Sequence, residues 1–293
     1  MTVLILGAGG QVGSALRWRA LARGASTVGL AHTDLDIADR DIVRAVIDEV
    51  RPTTVINCAA YTDVDGAETD EAGAERVNRD GAGHVAAACA PLGVPLIHLS
   101  TDYVFDGARP TAWREDDPVS PVGVYARTKE AGERAVRDAW GKHVILRTAW
   151  VFGGIGRNFV KTMRRLADQG QTTIRVVDDQ RGGPTPAEAI ADACLDIAER
   201  CGSADIVPWG TYHFCGAPSV TWREFAEAVL ADRPEVTVTP CASAEFDRPA
   251  PRPANSVLDC TRIRAAFGVE QPDWRPYLTR LLGDLGEATE EAS

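Results

Sequence analysis

The chain opens with a short apolar run, Thr2 to Leu6, that passes directly into Gly7-Ala8-Gly9-Gly10-Gln11-Val12-Gly13, and Ser14 to Arg23 follows with helical periodicity. A strand that turns this tightly into a helix restricts the chain to α/β folds, and the spacing of its glycines suits a dinucleotide. Gly7 permits the turn, Gly10 lets a pyrophosphate approach the backbone, and Gly13 lets the helix pack on the strand. Gln11 and Val12 open that helix, whose N-terminal amides face the phosphate charge. The plainer alternative is an ordinary βα turn whose glycines serve packing alone.

The alternation continues. Thr27-Ala31, Thr54-Cys58, Pro95-Ser100 and His143-Thr148 read as strands, and Ala38-Val50, Ala67-Ala90 and Val124-Trp140 as helices. This predicts an α/β fold with a doubly wound, Rossmann-like parallel sheet and ligands at the carboxyl ends of its strands. From Phe152 the pattern loosens and prolines break it into short elements. A smaller C-terminal substrate domain, partly interleaved with the first, is expected there. Residues 1–151 with about 172–201 would form the dinucleotide unit, the strand 172–177 and the helix 186–200 returning to the sheet. Residues 152–171 with about 202–293 would form the substrate unit, ending in a frayed acidic tail over 287–293.

Composition narrows the class. The 293 residues are 45% hydrophobic and 25% charged, enough for one large core or two smaller ones. No stretch approaches the ~20 apolar residues of a membrane span, and no basic region precedes the first apolar segment, so a cytoplasmic protein is expected. A net charge of −11 disfavours nucleic acid and anionic membranes as partners. The seven cysteines are scattered and odd in number, without Cys-x-x-Cys pairs, and reduced thiols are expected. No metal site is predicted. Mg2+ has no support in the pattern, Glu188 and the acidic tail being generic carboxylates, and a homodimer is left open.

Two further features carry chemistry. Tyr125 and Lys129 stand four residues apart on one helical face, where an ammonium favours a phenolate and makes the phenol a useful proton donor. The second strand ends Leu30-Ala31-His32-Thr33, without the carboxylate that would bind a ribose 2′-hydroxyl and reject a 2′-phosphate. NADPH is therefore favoured, with NADH also accepted, and Asp36-Ile37 lies at a distance suited to the adenine.

With these residues in place the chain resembles the dTDP-4-dehydrorhamnose reductases of the extended short-chain dehydrogenase/reductase superfamily. The resemblance runs from the first strand to about Leu282. It rests on the glycine loop, Asn57-Cys58-Ala59-Ala60-Tyr61-Thr62-Asp63-Val64-Asp65, Ser100-Thr101-Asp102-Tyr103-Val104-Phe105-Asp106-Gly107, Val124-Tyr125-Ala126-Arg127-Thr128-Lys129 and Arg147-Thr148-Ala149-Trp150-Val151-Phe152-Gly153, with Arg252-Pro253-Ala254-Asn255-Ser256 further on. Two positions depart from the family, which usually has Asn and Gly where this chain has Gly123 and Ala126.

The resemblance implies hydride transfer from NAD(P)H to the C4 carbonyl of a dTDP-4-keto-6-deoxy-L-sugar, with dTDP-4-dehydro-L-rhamnose foremost and a related keto-deoxysugar as the alternative. It implies Tyr125 as proton donor, Thr101 bonding the same oxygen, and Lys129 holding the nicotinamide ribose while lowering the tyrosine pKa. Ala60, Tyr61 and Thr62 would line the cofactor. Asp102 and Trp150 are sugar-contact candidates, and Asn158, Arg252 and Asn255 diphosphate or base contacts, Arg252 suited to bidentate binding. A dehydratase would place a second carboxylate after Thr101-Asp102, where this chain has Tyr103. A non-catalytic regulatory relative has no need to keep Thr101, Tyr125 and Lys129 together.

Overall fold

The structure is a computed structural model that describes residues 2–204, 206–246 and 248–290. Six strands form its central sheet: β1 (Thr2–Leu6), β2 (Ser26–Leu30), β3 (Thr54–Asn57), β4 (Leu96–Thr101), β5 (His143–Thr148) and β10 (Gly210–His213), in the order β10-β5-β4-β3-β1-β2. Every pair is parallel. Parallel strands need crossovers, and these place helices on both faces. On one face α1 (Gln11–Ala22) and α8 (Ala187–Ser203) cover Val3, Ile5, Ile56 and Ile97. On the other, α2 (Arg40–Val50) and α5 (Ala82–Cys89) cover Leu4, Leu6, Val55 and Leu96. β1 is buried on both sides, hence its unbroken apolar run.

The order reverses between β1 and β3, which opens the crevice where doubly wound sheets bind ligands. The loops after these strands press together there. A Cβ on Gly7 would lie 2.6 Å from the Ala59 nitrogen, and Gly7 has φ +78°, so glycine is required twice over.

Three expectations are corrected. The helix predicted over 67–90 is broken into α3 (Val64–Ala67), α4 (Glu71–Glu75), a π-helical turn (Arg76–Gly81) and α5. Asp63 and Asp70 each accept a backbone hydrogen bond, from Gly66 at 2.9 Å and Gly73 at 3.1 Å, and so start new helices. The strand predicted at 172–177 does not return to the sheet: β7 (Thr173–Val177) pairs with β12 (Thr237–Cys241). The sixth strand is β10, from the stretch assigned to the smaller unit. The predicted helix at 186–200 does pack on the sheet, as α8.

A separate apolar cluster lies beside the carboxyl ends of the strands. It joins Phe152 of β6 (Val151–Phe152), Val160 and Met163 of α7 (Phe159–Asp168), Phe225 and Val229 of α9 (Trp222–Val229), and Trp274 and Leu278 of α11 (Trp274–Glu290) to β7. Of the tail expected to fray, the backbone is helical to Glu290 and the rest lies outside the described residues.

Candidate active site

Thr101 ends β4 and Tyr125 begins α6 (Val124–Ala139). Thr101 Oγ1 accepts from the Tyr103 amide at 3.2 Å, capping a short 3-10 turn, and donates to Asp102 Oδ1 at 3.1 Å. It lies near enough to the Tyr125 hydroxyl to pull that group's pKa down. The cap and the site contact are made by one side chain. The Tyr125 ring stands edge-on to Tyr103, centroids 5.7 Å apart.

Desolvation pushes the Tyr125 phenol up to about 12, against the pull of Thr101, with Asp102 adding to the rise. Lys129 is not among the groups acting on it, so the lowered tyrosine pKa expected from the Tyr–Lys spacing is corrected. Lys129 is buried, and its Nζ donates to the Leu99 carbonyl at 2.8 Å. Burial pushes this lysine down to about 8, while Glu133 and Cys58 pull it upward.

Asp102 is 3% exposed; burial pushes its carboxyl up to about 7, with Ser256 and Thr101 pulling the other way. Its Oδ2 is buried without a hydrogen-bond partner, as is Oγ1 of Thr148 at the end of the neighbouring β5. Buried polar atoms are normally paired, so these two strand ends present open valences where a ligand would lie. Thr148 is a residue the sequence reading missed.

Trp150 follows β5 at φ +48°, an outlying conformation for a bulky residue and one that clusters at functional sites. Its indole stacks on Trp222 at 3.5 Å and lies over Gly182, where a Cβ would come within 2.4 Å. It is packed and half-exposed at once. Gly123 stands at φ 89°, ψ 161°, a state essentially reserved for glycine.

Gly13 and Gly10 of the glycine loop differ in what requires them. Gly13 is fixed by packing, since a Cβ would sit 2.2 Å from the Gly7 carbonyl oxygen. At Gly10, φ is −80° and the nearest atom to a Cβ is 3.4 Å away, an ordinary contact. Nothing in the protein demands a glycine at position 10, whereas a dinucleotide seated on the loop does, and the residues fit that group. Gln11 and Val12 begin α1, as expected.

The loop after β3 carries Ala60, Tyr61 and Thr62. Asn78, on the π-helical turn, accepts from the Tyr61 amide at 2.9 Å and donates to the Tyr61 carbonyl and to Thr128 Oγ1, each at 3.1 Å. It thereby ties this loop to the helix of Tyr125. At the end of β2 a carboxylate does stand by Ala31, correcting the expectation of none: Asp34 Oδ2 accepts from the Ala31 amide at 2.8 Å. Arg17 of α1 runs beside Gly29 on the same strand. Asp36 is held by Arg76 at 2.7 Å and by the Ala38 amide, and the Ile37 side chain is buried against Gly81.

The three polar candidates further along are engaged within the protein. Arg252, expected as a diphosphate or base contact, forms a two-pronged pair with Asp65 at 2.8 and 2.9 Å. The Asn255 amide donates to the Arg109 and Thr111 carbonyls and accepts from Val257, leaving none of its hydrogens for a ligand. Asn158 caps α7 and donates to Gln11 Oε1 at 3.0 Å, joining the second cluster to the start of α1. Among the described residues no group of three or more His, Cys, Asp or Glu is placed to hold a metal ion, and no helix is long and apolar enough to cross a membrane. Glu188 pairs with Arg280 at 2.9 Å.

Residues 1–286 match the model of the RmlD substrate binding domain family. A dTDP-4-dehydrorhamnose reductase from Aggregatibacter actinomycetemcomitans is 41% identical over 289 residues, 95% of this chain and 97% of the relative. The chain belongs to the dTDP-4-dehydrorhamnose reductase family. A probable dTDP-4,6-dihydroxy-2-methyloxan-3-one 4-ketoreductase from Streptomyces antibioticus is also 41% identical, over 97% of this chain and 96% of its own. Among solved structures, the dTDP-4-dehydrorhamnose reductase of Bacillus anthracis in complex with NADP superposes with a TM-score of 0.90 at 35% identity, covering 97% of this chain and 99% of that one. In this chain Thr101 ends β4, and Tyr125 and Lys129 stand on α6.

Proposed function

We propose that this chain reduces the C4 carbonyl of dTDP-4-dehydro-L-rhamnose to give dTDP-L-rhamnose, using NADPH. The observation that carries the reading is Tyr125 at the start of α6 beside Thr101 at the end of β4, in a chain 41% identical to a dTDP-4-dehydrorhamnose reductase. The dinucleotide, when bound, supplies the hydride, and Gly7, Gly10, Gln11, Val12 and Gly13 with Ala60, Tyr61 and Thr62 would hold it. As the carbonyl oxygen becomes an alkoxide it needs a proton, and Tyr125, a neutral phenol at physiological pH because burial holds its pKa near 12, keeps one to give. Thr101 bonds the same oxygen. Lys129 would bind the nicotinamide ribose. Asp102, titrating near neutrality with an unpartnered Oδ2, and Thr148 would meet sugar hydroxyls, and Trp150 would wall the sugar pocket.

Cofactor oxidation with dTDP-4-dehydro-L-rhamnose, with the product identified by NMR, tests the reading; absence of turnover overturns it. The Streptomyces antibioticus relative, matched at equal identity, supports a second reading in which the substrate is another dTDP-keto-deoxysugar. A panel of such sugars ranks the two. No turnover with any of them, from folded protein that binds NADPH, would favour the regulatory alternative.

The mixed charges at the end of β2, Arg17 and Asp34, predict that both cofactors support turnover, with less than about a hundredfold difference in kcat/KM. Arg17→Ala should move the preference toward NADH and Asp34→Ala toward NADPH. Parent efficiencies more than about a thousandfold apart would show that one charge dominates.

A further inference from the structure

We propose that Glu133 is a positioning residue for this site, holding β4 so that Thr101 meets Tyr125 and standing one helical turn from Lys129 as its buried counter-charge. The proposal rests on the assignment of Thr101, Tyr125 and Lys129 to the reaction. Glu133 lies one helical turn beyond Lys129 on α6 and is fully buried. Its two carboxylate oxygens accept four hydrogen bonds. Ser100 Oγ donates to Oε1 at 2.6 Å, Arg147 Nε to Oε1 at 2.8 Å, and Arg147 and Arg137 guanidinium nitrogens to Oε2 at 2.7 and 3.2 Å.

The placement of these bonds gives the argument. Lys129 grips the Leu99 carbonyl and Glu133 grips the Ser100 hydroxyl, so α6 holds two successive residues of β4, and the next residue is Thr101. Ser100 is the register partner of Arg147 on β5, so the same carboxylate ties α6, β4 and β5 together. The strand end, the helix that carries Tyr125 and the strand that leads to Thr148 and Trp150 thus meet at one buried group. A buried Arg–carboxylate pair adds little stability over apolar packing of equal volume, and its attested use is to fix register.

The charges around Lys129 point the same way. Facing it are Glu133 on its own helix, Cys58 after β3, and His98 and the Leu99 carbonyl on β4; Arg137, Arg147 and, beyond them, His213 and His143 surround the carboxylate. Burial alone would raise the Glu133 carboxyl, but the hydrogen bond and charge of Arg147, with Ser100 and Arg137, hold it below the usual carboxylate range. It is therefore an anion among three cations, and it is the leading influence opposing the loss of the lysine proton.

The sequence contains three lysines, Lys129, Lys142 and Lys161, so protein labelled with 13C at lysine Cε gives few enough signals to follow Lys129 through a pH titration without turnover. Glu133→Gln keeps the shape and removes the charge. A lysine raised by an anion loses that support when the anion goes, so the Lys129 midpoint should fall by about one pH unit or more. The alkaline limb of kcat/KM should move down with it, and kcat should drop ~10- to 100-fold through the displaced Thr101, with KM little changed. A merely structural role would instead lower activity by one factor at every pH, with the midpoint unmoved; that result, or wild-type kcat, overturns the proposal. If Glu133→Gln fails to fold, Ser100→Ala decides, because it cuts one link only: a several-fold loss in kcat at constant KM is expected, and wild-type kcat overturns the positioning role. If the wild-type protein turns over no keto sugar, the assignment of the reaction fails, while the lysine titration still reads Glu133 by itself.

Discussion

Tyr125→Phe is expected to lower kcat for keto-sugar reduction by about 100- to 10,000-fold, the usual contribution of a positioned acid. The substitution removes one hydroxyl. The ring that packs edge-on against Tyr103 remains, so the melting temperature and NADPH affinity should stay close to those of the parent. Burial holds the phenol near 12, so it stays protonated from about pH 6 to 9 and cannot itself produce an alkaline limb in that range. A limb near pH 8 in the parent would belong to Lys129. Steady-state kinetics with calorimetric cofactor binding checks this, and parental turnover in the Phe variant would remove Tyr125 from the reaction.

Gly10→Val should weaken NADPH binding by about 100-fold or more, some 3 kcal/mol, while the protein stays folded. The expectation depends on position 10 having an ordinary φ and room for a Cβ, so the branched side chain costs the empty protein little. Gly13→Ala is the contrasting case. Its methyl would lie 2.2 Å from the Gly7 oxygen and force α1 off the turn, so the fold itself should suffer. Calorimetry on Gly10→Val, beside thermal melts of both variants, separates the two glycines; unchanged affinity in folded Gly10→Val would reduce the loop to a plain βα turn.

Elements whose signal is local are legible in the sequence alone. β1 and β5 have the predicted limits because β1 is an apolar run buried from Val3 to Leu6, and β5, buried along its whole length, carries Val144-Ile145-Leu146 at its centre. The glycine loop was legible because covalent geometry sets its spacing. What escaped depended on distant partners. β10 is four residues with a glycine and two polar side chains, and only its pairing with β5 makes it a strand. Arg252 and Asn255 carry the chemistry of ligand contacts, but Asp65, Arg109 and Thr111, more than a hundred residues earlier, occupy them. Glu133 could have been found from its spacing, one turn after Lys129 on the face that Tyr125 and Lys129 already defined.

The late arrival of β10 has a consequence for how such a chain can be cut or recombined. Its outermost sheet strand and α8, which shields one face, are both made after the chain has entered the second cluster at β6 and α7. A fragment ending at residue 151 would present β5, six residues buried along their whole length, as a bare edge, together with a face stripped of Ile190, Leu195 and Ile197. Bare apolar edges template intermolecular pairing, so that fragment should aggregate when expressed alone. The stretch 1–151 is therefore no module that a single crossover could transplant, and recombination in this architecture has to work by substitutions and loop exchanges made within an intact chain.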